Sequence, residues 1–306
     1  LIESASFFYF KQGGVIMDIS KYALFADIAE TKNFTKSGER MGYTQSGVSH
    51  VLKAMENELG FPLFLRDRRG VSLTSDAQAL LPLVRNLLSV NEHLEQTAAA
   101  LNGLEIGHLT IASFASISCN WLPSVIRTFR KECPGIEIEL LEGSTDEILD
   151  WLHNSRADFG LLSRRNIGTL EWLPLYEDPL VAIFPRDFYL EGMTSFPIQA
   201  FTDMPFIISA LDVDYDIHDA IQEARISPRI RVSSKDDHVI SSMVASGLGV
   251  SILPRLTVES AGDSIQYLPL DPGFSRELGI GLRSQKALSP AARRFIALVQ
   301  EMSPSF

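Results

Sequence analysis

Apolar and polar positions follow three rhythms along the chain, and the changes of rhythm divide it. From Ile19 to Thr31 the apolar set Ile19, Tyr22, Ala23, Phe25, Ala26 and Ala29 recurs at spacings of three and four, which predicts an amphipathic helix. Asn33 to Thr35 offer capping side chains for a short second helix that stops at Gly42. Thr44 then caps a third helix running to Gly60, with Val48, Val51, Leu52, Met55 and Leu59 on its core stripe. Beyond Gly60 the runs Phe61 to Leu65 and Val71 to Leu73 flank Arg66, Asp67, Arg68, Arg69 and Gly70, the pattern of a small hairpin with a basic tip.

The second rhythm is heptad-like. Leu80, Val84, Leu87, Asn91, Leu94, Ala98 and Leu101 alternate at four and three, the a and d positions of a coiled coil, and predict a dimerising helix over 76–103. A helix packed within the monomer fits the same pattern. Pro82, at a cost of about 3 kcal/mol inside a helix, predicts a late start or a kink.

In the third rhythm, beyond Gly107, short apolar strands alternate with helices. His108 to Ala112, Ile136 to Leu141 and Asp158 to Leu162 read as strands, with helices at Trp121 to Lys131 and Asp146 to Asn154. A second set begins around Leu180 to Phe184 and Phe206 to Ser209, with helices at about Tyr215 to Glu223 and Asp237 to Ser246 and a last strand at Val250 to Leu253. This alternation predicts an α/β domain with parallel sheet.

Composition changes the picture in two places. The 306 residues allow about two domains, and 45% apolar with 21% charged residues is an ordinary globular balance. No apolar run approaches the roughly 18 residues of a membrane span. The net charge of −11 argues against generic coating of nucleic acid or of an anionic membrane. Cys119 and Cys133 are too few for a thiolate zinc site. The six histidines form no HExxH motif, Ala245-Ser246-Gly247 lacks the preceding glycine of a nucleophile elbow, and Asp236-Asp237-His238 reads as a helix start before it reads as a metal cluster. Neither a metal, a cofactor nor an enzymatic activity is expected. Residues 1–16 precede Met17 and read as an extension outside the fold.

The third helix carries the most specific chemistry. Opposite its core stripe stand Gln45, Ser49 and Lys53 at i, i+4 and i+8, with Ser46 and His50 beside them and no acid before Glu56. Such a face fits the major groove, where glutamine pairs bidentately with adenine and serine or histidine bonds to varied base edges. A solvated helix face fits it too.

The stretch Thr44 to Asp76, TQSGVSHVLKAMENELGFPLFLRDRRGVSLTSD, resembles the signature of the LysR-type transcriptional regulators, departing from it at Gly47, Met55 and Ser75-Asp76-Ala77. The resemblance implies a winged helix-turn-helix over 17–75, a dimerising linker helix and an effector-binding domain over 104–306. That domain is similar to periplasmic solute-binding proteins, with one subdomain at about 107–178 plus 267–306 and the other at about 179–266. It also implies base contacts from Gln45, Ser46, Ser49 and His50, and backbone contacts from Arg66 and the wing with Arg68 and Arg69. Thr35, Lys36 and Lys53 are further DNA-facing candidates. The expected partners are promoter DNA, a small-molecule effector and a second copy of the chain, with tetramers possible in such a family, and the expected location is the cytoplasm.

With that division the charge resolves into two parts. Residues 17–75 hold eight Lys or Arg against seven Asp or Glu, a net +1, which leaves −12 elsewhere.

Ligands of open α/β sheets bind beyond the carboxyl ends of the strands. Ser113, Phe114, Ser116 and Ser118 follow the first strand; Ser144 and Thr145 follow the second. Ile208 and Ser209 face them by analogy, and the Gly249 to Val250 turn is expected to close the cleft. Each hydroxyl serves equally well as a helix cap. The acidic loop Asp212, Val213, Asp214, Tyr215, Asp216 reads either as solvated or as favouring an effector with a cationic group. The rival functions are a solute-binding transport protein using the same cleft and an enzyme for which no nucleophile, base or metal constellation appears.

Overall fold

The computed structural model describes residues 18–67, 70–102, 106–190, 192–211, 215–259 and 264–303, without the side chains of 66 and 67. Residues 1–16, Arg68, Arg69, the Arg66 side chain, Gly103 and the Asp212 to Asp214 part of the acidic loop lie outside the described residues. The chain divides into two compact units, one ending at Asn91 and one beginning at Glu92.

In the first unit, α1 (Ile19–Thr31), α2 (Phe34–Arg40) and α3 (Gln45–Leu59) are followed by β1 (Phe64–Asp67) and β2 (Gly70–Leu73). The predicted caps form. Asn33 Oδ1 accepts from the amides of Thr35 and Lys36, and Thr44 Oγ1 accepts from the Gly47 amide at 3.1 Å. β1 and β2 pair antiparallel from Phe64 opposite Leu73 to Asp67 opposite Gly70. Leu24, Phe25, Ile28, Val48, Leu52, Met55 and Leu63 make the core. Gly38 lets α2 approach α3: a Cβ there would stand 2.9 Å from Val48 Cγ2 and 3.0 Å from the Tyr43 carbonyl oxygen.

The long helix α4 (Ser75–Leu101) starts from a Thr74 cap and runs without interruption through Pro82. The expected late start is therefore absent. Ala77, Leu81 and Val84 bury themselves on the helical core on both sides of the proline, which offsets the lost amide. This packing also corrects the expected seam. Val84 is 3% exposed and Leu80 packs against the same core, so neither faces outward. The exposed large apolar positions are Leu83, Val90, Leu94 and Leu101, of which Leu94 (67%) and Leu101 (85%) belong to the predicted set, as does the exposed Ala98. Leu87 and Asn91 are half-buried. Periodicity alone does not distinguish a stripe used within a domain from one left for a partner.

The second unit contains two cores that share one long strand. β3 (Ile106–Ser113) pairs parallel with β4 (Gly135–Glu142) and β5 (Phe159–Ser163), as the alternation predicts. β12 (Ser275–Leu282) then adds antiparallel between β5 and β6 (Glu171–Pro185). Around this half pack α5 (Ala115–Asn120), α6 (Leu122–Glu132), α7 (Thr145–His153) and α11 (Pro290–Met302), with Phe129, Phe159 and Phe295 in contact at their centre.

The continuation of β6 belongs to the other core. Its residues 180–185 pair antiparallel with β10 (Ser251–Pro254) and β11 (Ile265–Asp271), and β7 (Phe196–Pro197) adds to β11. A parallel pair, β8 (Pro205–Ser209) and β9 (Arg229–Ser234), packs with α9 (Asp237–Ala245); α8 (Tyr215–Glu223) adds Ile217 and Ala220 to the same core, and α10 (Arg255–Glu259) rests on β6, β10 and α5. Since β11 lies in this second core with Ile265 and Leu270 buried, the chain returns to the first core between Asp271 and Ser275, not near 267. The end of α4 is tied to β3: Gln96 Nε2 donates to the His108 carbonyl at 2.8 Å, and the His108 amide donates to Glu92 Oε1 at 2.9 Å.

Candidate functional site

Burying the Val48, Leu52 and Met55 stripe turns the other side of α3 to solvent. Gln45, Ser46, Ser49, His50 and Lys53 are all exposed, as are Thr35 and Lys36 at the start of α2. The acids that follow have internal uses. Glu56 Oε1 accepts from the Leu63 amide at 2.7 Å and so fixes the entry to the wing; Glu58 pairs with Lys21 at 3.0 Å. Arg40 is paired with Asp27, whereas Lys36 and Lys53 make no ion pair among the described residues. A near-neutral unit thus keeps its uncommitted cations beside its hydrogen-bonding face.

In the second unit a cavity of about 570 Å³ opens between the two cores. Phe114, Ala115, Ser116 and Cys119 of the β3–α5 segment form one wall, Glu142 to Ser144 with Asp146 and Glu147 another, and Lys235 to His238 with Thr257 and Arg276 face them. At its base Arg276 Nε donates to Asp178 Oδ2 at 3.0 Å, and Arg276 Nη2 donates to Ser116 Oγ at 3.0 Å. Asp178 Oδ1 also accepts from the Leu256 amide at 3.0 Å, tying α10 to the same ion pair. Asp178 is fully buried and Arg276 nearly so, which places the pair where β6 passes from one core to the other.

Two contacts cross the mouth between the halves. The Tyr215 hydroxyl donates to Asp146 Oδ2 at 2.8 Å, and Arg165 Nη1 donates to the Tyr215 carbonyl oxygen while pairing with Asp219. The Arg165 guanidinium also lies 5.0 Å from the centre of the Tyr215 ring.

The sequence-derived effector candidates separate into two groups. Phe114, Ser116 and Ser144 line the cavity. Ser113 is fully buried, its hydroxyl donating to the Phe114 carbonyl, and Thr145 is buried in the first turn of α7. Ser144 acts as a helix cap in a reciprocal box with Glu147. Ile208, Ser209, Gly249 and Val250 do not line the cavity. The last two hold β8 in place: the Val250 amide donates to the Pro205 carbonyl oxygen at 2.9 Å, and a Cβ on Gly249 would stand 2.7 Å from that oxygen.

Arg276, Thr257, Lys235 and Glu142 were not singled out by sequence. The nearest sequence signal for the ion pair is the acid pair Glu177-Asp178, set one proline before the buried run Leu180 to Phe184. No spacing announces a partner 98 positions away.

A helix-turn-helix whose third helix turns a polar face to solvent, joined by a long helix to a cleft-bearing α/β domain, defines a sensor-coupled DNA-binding protein. The comparisons name its family. Residues 19–78 match the bacterial regulatory helix-turn-helix proteins of the lysR family, and residues 102–304 match the LysR substrate binding domain. The chain belongs to the LysR family of transcriptional regulators, which bind DNA and respond to small-molecule effectors. It is 30% identical over 289 residues to the uncharacterised regulator YvbU of Bacillus subtilis, covering 94% of this chain and 99% of that one. A full-length OxyR variant from Pseudomonas aeruginosa superposes with a TM-score of 0.75 at 23% identity, over 94% of this chain and 97% of the other. The regulatory domain of Synechocystis CcmR, in complex with 2-PG, gives a TM-score of 0.60 at 23% identity over 65% of this chain and 98% of that one. The helix-turn-helix match displaces the transport-protein alternative. No helix among the described residues is long and apolar enough to cross a membrane.

Proposed function

We propose that α3 reads promoter bases through Gln45, Ser46, Ser49 and His50. Thr35, Lys36, Lys53 and the wing arginines Arg66, Arg68 and Arg69 grip phosphates, and the effector occupies the cleft floored by Arg276 and Asp178. Effector binding then shifts the equilibrium between cleft geometries, and with it the placement of paired DNA-reading units joined through α4. The protein works where its promoter DNA is, in the cytoplasm, and the cleft serves as a sensor and not as a catalytic centre. Three of its acids serve the fold: Glu147 and Asp236 in helix caps and Asp146 in a cross-cleft contact.

The observation carrying this reading is the exposed, acid-free polar face of a helix whose opposite stripe is buried. Gln45→Ala combined with Ser49→Ala tests it by fluorescence anisotropy on an operator selected from random DNA. Discrimination against non-specific DNA should fall by about 1–3 kcal/mol for each lost base contact. Unchanged discrimination would overturn the assignment of α3.

A further inference from the structure

The cavity wall carries uneven charge. Glu142, Asp146, Glu147, Asp236 and Asp237 line it against two permanent cations, Lys235 and Arg276, a surplus of three negative charges. Arg276 is moreover paired with Asp178 at 2.9 Å. Low-dielectric walls focus such a field into the cleft, so a purely anionic ligand would meet net repulsion.

Most of these carboxylates already have structural work. Glu147 closes the capping box with Ser144, Asp236 accepts from the His238 and Val239 amides at the start of α9, and Asp146 holds the Tyr215 hydroxyl. Glu142, the last residue of β4, is exposed, and its carboxylate makes no hydrogen bond or ion pair among the described residues.

A second observation at the same cavity is independent of charge. Thr257 is only 5% exposed, yet its Oγ1 has no hydrogen-bond partner among the described residues. A buried hydroxyl left this way calls for a ligand or water partner. An ammonium or guanidinium group has several N–H donors and no acceptor, which suits a free carboxylate and an open hydroxyl oxygen together.

We propose that the effector is a small molecule bearing a cationic amine or guanidinium group, with Glu142 as its carboxylate partner and Thr257 as a hydrogen-bonding wall. Phe114, Ala115 and the Cys119 side of the cleft receive its apolar part. This rests on the cleft being the effector site, and adds the chemical class of what it takes.

Cys119 supplies a local reporter, being exposed on the cavity wall, whereas Cys133 is buried. The full-length protein is treated with N-ethylmaleimide, and modification of Cys119 is followed by mass spectrometry alongside thermal melting. The probes are phenethylamine and agmatine as cations, with 3-phenylpropanoate and glutarate as anions of comparable size. The cations should slow Cys119 alkylation and raise the melting temperature, and the anions should do neither. Glu142→Gln should weaken the cation effect about tenfold, the scale of one lost charge-assisted hydrogen bond. Asp146→Asn, which keeps an acceptor for Tyr215, serves as the second charge-removing variant, and the ligand-free melting temperature of each checks folding. Protection by the anions alone, or by cations with equal strength in both variants, overturns the cationic class and leaves the cleft reading standing. If no probe of either sign protects Cys119 or changes operator affinity, the cleft reading falls together with the proposal.

Discussion

Asp158 is held by two backbone contacts: its Oδ2 accepts from the Thr110 amide at 2.8 Å, and its own amide donates to the Thr110 carbonyl oxygen at 2.9 Å. Burial pushes its carboxyl above the ordinary carboxylate range, and the Thr110 hydrogen bond and the Arg283 charge only partly offset this. The folded state therefore binds the proton more tightly than the unfolded state, so this group's contribution to stability falls as pH rises from about 4 through the folded value. Asp158→Asn removes the ionisation while keeping an acceptor for Thr110. Its melting temperature relative to the parent should rise progressively from pH 4 to pH 7. A difference independent of pH would refute this account of Asp158. Little of this was readable beforehand, since an aspartate at a strand start has the same local sequence whether solvated or buried.

At the scale of elements, the crossing of β6 between the two cores is held by Asp178 and Arg276. Around this pair converge β12, α5 through Ser116 and α10 through the Leu256 amide. Removing one partner leaves the other charge buried and uncompensated, at a cost of about 3–5 kcal/mol. Asp178→Asn should therefore lower the urea midpoint of unfolding sharply. Loss of less than about 1 kcal/mol would mean that water reaches the guanidinium. The elements themselves were largely legible. The bounds of α1 and the capping residues of α2 and α3 follow from side chains adjacent in the chain to the amides they cap. The return point at Asp271 to Ser275 was not, because β11 and β12 look alike as apolar strands and differ only in which core they enter.

At the scale of the whole molecule, the net +1 of residues 17–75 against −12 elsewhere leaves general attraction to DNA weak. Affinity must come from local phosphate contacts and from presenting two recognition helices together. The exposed apolar positions Leu83, Val90, Leu94 and Leu101, separated by seven, four and seven residues, keep one side of α4 available to a second copy. Leu94→Glu should shift sedimentation toward the monomer and weaken operator binding by at least tenfold while leaving the far-ultraviolet circular dichroism unchanged. An unaltered oligomer would place the self-association surface elsewhere.

The sequence by itself determined the order of domains, the polar face of α3 with Gln45, Ser46, Ser49 and His50, the helix caps, and the alternation that builds the α/β domain. All of these depend on residues within a few positions of one another, where periodicity and capping chemistry act directly. Tertiary structure alone decided that Leu80 and Val84 face inward, that Ile208, Ser209, Gly249 and Val250 lie off the cavity, and that Glu142, Thr257 and Arg276 meet around it. These depend on which distant strands pair, as Arg276 and Asp178 do across 98 positions. That choice is made by burial of the two cores as wholes, and no local pattern of side chains encodes it.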